Sequence, residues 1–281
     1  MKIGILGQGY VGKAMKEVFI NYFPDIKYYD KFDDEKSNVK SLDDLVEYSE
    51  IIFLCLPTPM HKNGKCDTSI IDNETDTINL LSKNKDLTVV IKSTIPPGTT
   101  EKLNKKNDNI SIVFNPEFLT ELNFLDDFKK QDRIVLGGEI SECKKIEKLY
   151  KIVFSSVPVI KTTSKNAEMV KYLTNTFLAT KVSFSNEMKN ICDNLGANFD
   201  EVVKISILDK RLGTSHWQVP GHDGNLGFGG SCLPKDINAI IYLCNQLKID
   251  VDLLETVWNN NLKNRPSQDW KKLKGRAIID S

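Results

Sequence analysis

Along the first 163 residues, short apolar runs alternate with stretches whose apolar positions recur at helical spacing. The runs fall at residues 2–6, 26–29, 51–56, 88–92, 110–114, 133–136 and 157–161. Most are continuous rather than alternating, as strands are when helices cover both faces of a parallel sheet. Helices are expected between them at 12–22, 41–48, 68–82, 99–105 and 141–151. This rhythm predicts an α/β fold built on a doubly wound parallel sheet. After Thr163 the texture changes. Residues 166–195 keep helical spacing with no Pro or Gly before Gly196, and 200–208, 236–247 and 251–262 also read as helices. Two domains are therefore expected, an α/β domain over 1–163 and a helical domain over 164–281. Inside the second lies a Gly/Pro-rich loop, 213–234, too long for a plain connector and so a candidate for function.

Composition narrows the classes. The chain has 281 residues, 40% of them hydrophobic, with Lys+Arg and Asp+Glu both 38. A balanced charge points neither to nucleic acid nor to an anionic membrane. The longest apolar run, residues 51–56, is far short of a bilayer span. The N-terminus opens on a strand-like segment with no basic-then-apolar leader. Six cysteines are scattered without a CxxC spacing, and three histidines form no ligand cluster with them. Reduced thiols, a cytoplasmic location and no metal are the expectations.

Two motifs carry chemistry. Gly7-Gln8-Gly9-Tyr10-Val11-Gly12 follows the first strand and opens the first helix. Its glycines permit a tight turn and the approach of a pyrophosphate to a helix N-terminus, as in a Rossmann-type domain. Asp30, at the end of the second strand, stands where a carboxylate accepts the hydroxyls of an adenosine ribose, which favours NAD over NADP. The plainer reading is a glycine turn with a surface Asp; strand, turn, helix and acid coincide against it.

Gly227-Phe228-Gly229-Gly230-Ser231-Cys232-Leu233-Pro234-Lys235-Asp236 is the second motif. Glycines bring backbone close to a ligand, Pro234 suits the first turn of a helix, and a thiol at a helix N-terminus beside a lysine is a better nucleophile. The competing reading is a structural cysteine in a glycine-rich turn.

These motifs, with Pro57-Thr58-Pro59, Lys92-Ser93-Thr94-Ile95-Pro96-Pro97-Gly98 and Asn115-Pro116-Glu117-Phe118-Leu119 in the same order, resemble the UDP-glucose/GDP-mannose dehydrogenase family over residues 1 to about 265. The resemblance implies two successive NAD-dependent oxidations of a sugar C6 alcohol to the carboxylate, with UDP-glucose to UDP-glucuronate leading and GDP-mannose or UDP-N-acetylmannosamine as alternatives. It implies that Cys232 is the nucleophile of a thiohemiacetal and then a thioester. Lys171 and Asn175, four residues apart and so on one helical face, stabilise and orient the oxyanion. The resemblance further implies that Asp236 holds a water with the lysine, that Glu117 is the general base of thioester hydrolysis, and that Thr94 positions that water. Cofactor contacts are implied for Gly7, Gly9, Tyr10, Val11, Gly12, Asp30, Thr94, Glu121 and Lys235; Thr120 replaces the arginine usual before Glu121. Substrate contacts are implied for Glu117, Phe118, Leu119, Lys171, Asn175, Arg211, Phe228 and Gly229. Residues 214–225 would wrap the sugar or its diphosphate, with Trp217 either stacking on it or plugging the core.

The chain ends at 275–281, which reads as the first strand of a further α/β domain that the family carries. The foremost expectation is a short enzyme closed by its own loop or by a partner subunit; the alternatives are a smaller substrate, or binding of NAD and sugar nucleotide without efficient turnover. Leu253, Leu254, Val257 and Leu262 are expected to form an exposed apolar face for a homodimer. The competing classes are a β-hydroxyacid-type dehydrogenase, which has no use for the cysteine loop, and a non-catalytic NAD-binding scaffold.

Overall fold

The computed structural model describes residues 1–83 and 85–279. Contacts divide them into two compact units, the first being Met1–Thr58 with Thr68–Lys171, the second Pro59–Asp67 with the chain from Tyr172 onward.

The first unit holds seven strands: β1 (Ile3–Leu6), β2 (Lys27–Tyr29), β3 (Ile51–Leu54), β4 (Leu87–Ile91), β5 (Ile110–Phe114), β6 (Ile134–Gly137) and β7 (Val159–Thr162). They form one sheet in the order β2-β1-β3-β4-β5-β6-β7. Its helices are α1 (Tyr10–Phe19), α2 (Leu42–Tyr48), α3 (Ser69–Leu81), α4 (Thr99–Lys106), α5 (Phe124–Lys129) and α6 (Ile140–Val153). Strands β1, β3 and β4 are buried at every position, whereas the edge strands β2 and β7 are half-exposed. That explains why the interior strands read as unbroken apolar runs. Successive side chains leave opposite faces. Ile3, Ile5, Phe53, Val90 and Val113 join Phe19, Phe128 and Tyr150 on one side, while Ile52, Leu54, Val89, Ile91 and Phe114 meet Leu45, Ile71 and Leu103 on the other. The order reverses at β1, which has β2 on one side and β3 on the other. Such a switch point is where open α/β sheets bind ligands.

Two features depart from expectation. Strand β6 runs antiparallel to β5, pairing Phe114 with Gly137, so the sheet is mostly rather than wholly parallel. Periodicity reports which face a residue takes and carries no strand direction. Helix α5 is the other, in a segment where no helix is expected.

The second unit is helical. The 32-residue helix α7 (Ser164–Leu195) enters it at Tyr172, followed by α8 (Phe199–Ser206), α9 (Leu233–Leu247) and α10 (Asp252–Asn264). Helix α9 starts three residues earlier than expected because Cys232 is its N-cap and Pro234 sits in the first turn, where its missing N–H costs nothing.

The apolar residues of α10 do not form the exposed face expected of them. Val257 is buried with Ala179, Phe228 and Ile237, Leu254 packs beside it, and Leu262 packs against Met60 and Trp270. Only Leu253 of the four is exposed. Among the described residues the expected terminal strand is not formed: Ile278 makes isolated bridges to Met60 and Lys274, and residues 280 and 281 of that stretch lie outside the described residues. Among the described residues no helix is long and apolar enough to cross a membrane.

Candidate functional site

In the first unit the glycine turn joins β1 to α1. Gly7 has φ +90°, and a Cβ there would lie 2.6 Å from the Cys55 carbonyl oxygen. A Cβ on Gly12 would lie 1.9 Å from the Gly7 carbonyl oxygen, so helix and turn meet backbone to backbone. A Cβ on Gly9 would meet nothing within 4 Å. Gly9 is also the N-cap of α1, with no side-chain cap and no acidic residue in the first turn. Open space at the N-terminus of a helix suits a phosphate. Asp30 Oδ2 accepts the Gln8 N–H at 2.8 Å and Oδ1 that of Phe32 at 3.1 Å, so the acid expected at the ribose also braces the glycine turn. These residues fit a dinucleotide.

The ends of β4 and β5 carry a second cluster. Lys92, 4% exposed, lies beyond β4, and Glu117, 7% exposed, follows β5. Lys92 Nζ stands 2.9 Å from Glu117 Oε2 and donates to Asn115 Oδ1 at 2.8 Å. Burial opposes the charge on Lys92, yet the Glu117 carboxylate outweighs it and holds this lysine above its ordinary pKa. Lys171, buried on α7, donates to the Glu117 backbone carbonyl and sits 5.4 Å from the Phe118 ring centroid. Arg133 lies over the same ring at 4.3 Å. Leu119 packs against the core. Thr94 accepts from Thr58 Oγ1 through its carbonyl at 2.8 Å. Glu121 is half-buried, and Thr120 before it is held by Asp127.

In the second unit the cysteine loop is braced by residues distant in sequence. Asn186 Oδ1 accepts from Gly227 N at 3.1 Å, and Asn261 holds Phe228 through both backbone groups. Phe228 itself is 3% exposed, its side chain part of the core. Arg265, 4% exposed, is flanked by Asp223 and Asp269 and lies so close under the loop that a Cβ on Gly229 would fall 2.4 Å from its guanidinium. Cys232, half-buried, ends the loop, with Ser231 Oγ 3.7 Å from its Sγ. In the first turn of α9, buried Lys235 pairs with Asp236 at 2.5 Å. Burial opposes the Lys235 charge, but the Asp236 carboxylate overcomes it and keeps the lysine strongly cationic. Asp236 Oδ2 also accepts from Asn175 Nδ2 at 2.5 Å, so Asn175, Asp236 and Lys235 form one chain of bonds. Arg211 is exposed on a 3-10 turn and paired with Asp209. Trp217 donates to the Gly213 carbonyl at 2.9 Å, with Lys181 Nζ 4.6 Å from its ring and Phe184 edge-on to it.

Sequence reasoning assigned nothing to Lys92, Asn115, Asn186, Asn261 or Arg265. Lys92 and Asn115 open the runs 92–98 and 115–119, and that position is the signal that marks them. The others lie 33 to 41 residues from the loop atoms they hold, where spacing gives no clue. Among the described residues no group of His, Cys, Asp and Glu is arranged to hold a metal ion.

A glycine-turn α/β unit with its switch point at β1, joined to a helical unit bearing a cysteine loop, defines a dinucleotide-binding class of protein. Residues 31–154 match the NAD binding domain of the UDP-glucose/GDP-mannose dehydrogenase family, and residues 165–263 match its central domain. The UDP-glucose 6-dehydrogenase of Rickettsia bellii is 39% identical over 225 residues, taking in 78% of this chain and 50% of that protein. The UDP-glucose 6-dehydrogenase AglM of Haloferax volcanii is 34% identical, with 100% of this chain and 74% of its own covered. A solved UDP-glucose dehydrogenase from Pyrobaculum islandicum is similar at a TM-score of 0.84 and 28% identity, over 97% of this chain and 70% of that one. The chain belongs to the UDP-glucose/GDP-mannose dehydrogenase family. It spans about half the length of the first curated relatives it matches.

Proposed function

We propose that the chain is an NAD-dependent dehydrogenase that oxidises the C6 alcohol of a nucleotide sugar to the carboxylate, with UDP-glucose as the foremost substrate. The observation that carries this reading is the placing of Cys232, a half-buried thiol on a braced glycine loop, at the N-cap of a helix whose first turn holds the Asn175–Asp236–Lys235 chain of bonds. The names of the relatives point to the same substrate.

The glycine turn and the start of α1 would hold the diphosphate of the cofactor, and Asp30 would serve its ribose while bracing the turn. Bound NAD supplies the hydride acceptor for each oxidation. The first oxidation leaves an aldehyde. The Cys232 thiolate adds to its carbonyl carbon, giving a thiohemiacetal whose oxyanion Lys171 stabilises and Asn175 orients. Loss of a second hydride gives a thioester. Water positioned by Thr94 and Asp236 then attacks, Glu117 takes its proton, and the carboxylate leaves as the thiol is restored. A covalent hold on the aldehyde is what two oxidations need and what a single-hydride dehydrogenase lacks.

We place the boundary between an NAD-binding domain, 1–163, and a helical domain, 164–281, at the start of α7. The chain acts as a homodimer in the cytoplasm. Exposed Leu173, Phe177, Phe184, Ile191 and Leu195 recur along one side of α7, a spacing that supports pairing with a second copy. Free thiols at all six cysteines suit a reducing compartment. A monomer in sedimentation at micromolar concentration would count against the dimer.

The activity is tested by following NADH release with UDP-glucose, GDP-mannose and UDP-N-acetylmannosamine. Turnover of UDP-glucose ahead of the others supports the reading. Preference for another of the three moves the substrate within the class, and NAD binding without turnover of any of them leaves only a scaffold.

A further inference from the structure

The Lys92 cluster has more structure than a cofactor turn or a packing role requires. Lys92 Nζ faces three acceptors: Glu117 Oε2 at 2.9 Å, Asn115 Oδ1 at 2.8 Å and the Tyr150 hydroxyl at 3.3 Å. The Tyr150 hydroxyl in turn donates to Asn115 Oδ1 at 2.5 Å, while Asn115 Nδ2 donates to the Val135 carbonyl at 2.8 Å, which fixes the amide. Burial pushes the Tyr150 hydroxyl and the Cys55 thiol up to about 12, so both stay neutral. Glu117 is the carboxylate that faces the Lys92 ammonium at ion-pair distance. Its Oε1 accepts the Phe118 N–H at 3.1 Å, and its Oε2 meets Lys92 at ion-pair distance without a well-angled hydrogen bond. That leaves Oε2 with acceptor capacity for a proton.

We propose that Lys92 is a positioning residue that keeps the Glu117 carboxylate charged and oriented for thioester hydrolysis, a role that rests on the reaction proposed above. A buried carboxylate stripped of its counter-ion favours its neutral form, and a neutral carboxyl cannot accept the proton of the attacking water. Both hydride transfers precede this step, so loss of Lys92 stalls the enzyme after them. Asn115 and Tyr150 hold the ammonium while Glu117 carries the proton.

The test compares wild type, Lys92→Met, Lys92→Arg, Glu117→Gln and the Lys92→Met/Glu117→Gln double variant, with NAD and UDP-glucose in rapid mixing. Lys92→Met should release its first-turnover NADH within about twofold of the wild-type rate, then fall roughly 100-fold in steady state, the size of a lost general base. Mass spectrometry should find the acyl adduct on Cys232. Glu117→Gln should behave alike, the double variant should be no slower than either single one, and Lys92→Arg should recover most of the steady state. Equal loss of first turnover and steady state without an adduct, or additive losses in the double variant, overturns the role while leaving the reaction standing. A wild type that yields no NADH overturns the reaction and this role with it. Should Lys92→Met not fold, Lys92→Gln drops the charge, keeps a bond to Asn115 and carries the same comparison.

Discussion

The side-chain amide of Asn261 grips the backbone of Phe228 from both sides, its Oδ1 accepting the Phe228 N–H at 2.7 Å and its Nδ2 donating to the Phe228 carbonyl at 2.9 Å. Asn261 is 1% exposed, so both backbone groups depend on it in a place water does not reach. Each buried polar group left unpaired costs about 1–3 kcal/mol. Asn261→Leu should therefore lower stability by about 2–4 kcal/mol in urea denaturation. It should also change the rate at which iodoacetamide alkylates Cys232, because Phe228 anchors the loop that ends on that thiol. Stability within about 0.5 kcal/mol of wild type, the range of an ordinary surface change, would mean the grip is not needed.

The two glycines of the turn should respond differently to the same methyl group. A Cβ on Gly12 would meet the Gly7 carbonyl oxygen at 1.9 Å, whereas one on Gly9 would meet nothing within 4 Å. Gly12→Ala should lower both the melting temperature and NAD affinity. Gly9→Ala should melt like wild type and lose NAD affinity by roughly tenfold or more, because the methyl occupies the side from which the diphosphate approaches. Calorimetric titration with NAD beside a thermal melt separates the two. Unchanged affinity in Gly9→Ala would place the diphosphate elsewhere.

Glu168 gives a pH signature. Its carboxylate accepts from Gly98 N, Thr100 N and Thr100 Oγ1 at the start of α4, yet burial outweighs these bonds and raises its pKa above the ordinary 4.5. Between the unfolded and the raised folded value the native state holds more protons than the unfolded one, so stability falls as pH rises through that window. Glu168→Gln removes this slope. Urea titrations from pH 4.5 upward should show wild type losing ground relative to the variant. A wild type that gains on Glu168→Gln as pH rises would reverse the sign.

Burial decided what was legible in the sequence. The interior strands β1, β3, β4 and β5 sit within a residue or two of their expected bounds, because burial on both faces writes an unbroken apolar run. Helix α7 was equally plain, having no Gly or Pro before Gly196. Strand direction leaves no such mark: β6 lies where a strand is expected, but its antiparallel pairing with β5 is not written in the pattern. Helix α5 escaped because six residues hold too few turns to show a period. The apolar residues of α10 were legible as apolar but not as inward-facing, since Trp270 and Met60, which cover Leu262, lie elsewhere in the chain. In the candidate site, the glycine turn and the cysteine loop announced themselves by composition. Lys92, Asn261 and Arg265 did not, because a polar residue buried by a distant partner looks like any solvated one until the chain is folded.

In the proposed reaction Cys232 holds the sugar through a second oxidation. Counting NADH per molecule of UDP-glucose consumed, in wild type and in Cys232→Ser, tests it most directly. Wild type should give two per sugar, and the serine variant a reaction that is abolished or stalls short of the carboxylate. One NADH per sugar in wild type, or full activity with serine in place of the thiol, would contradict it.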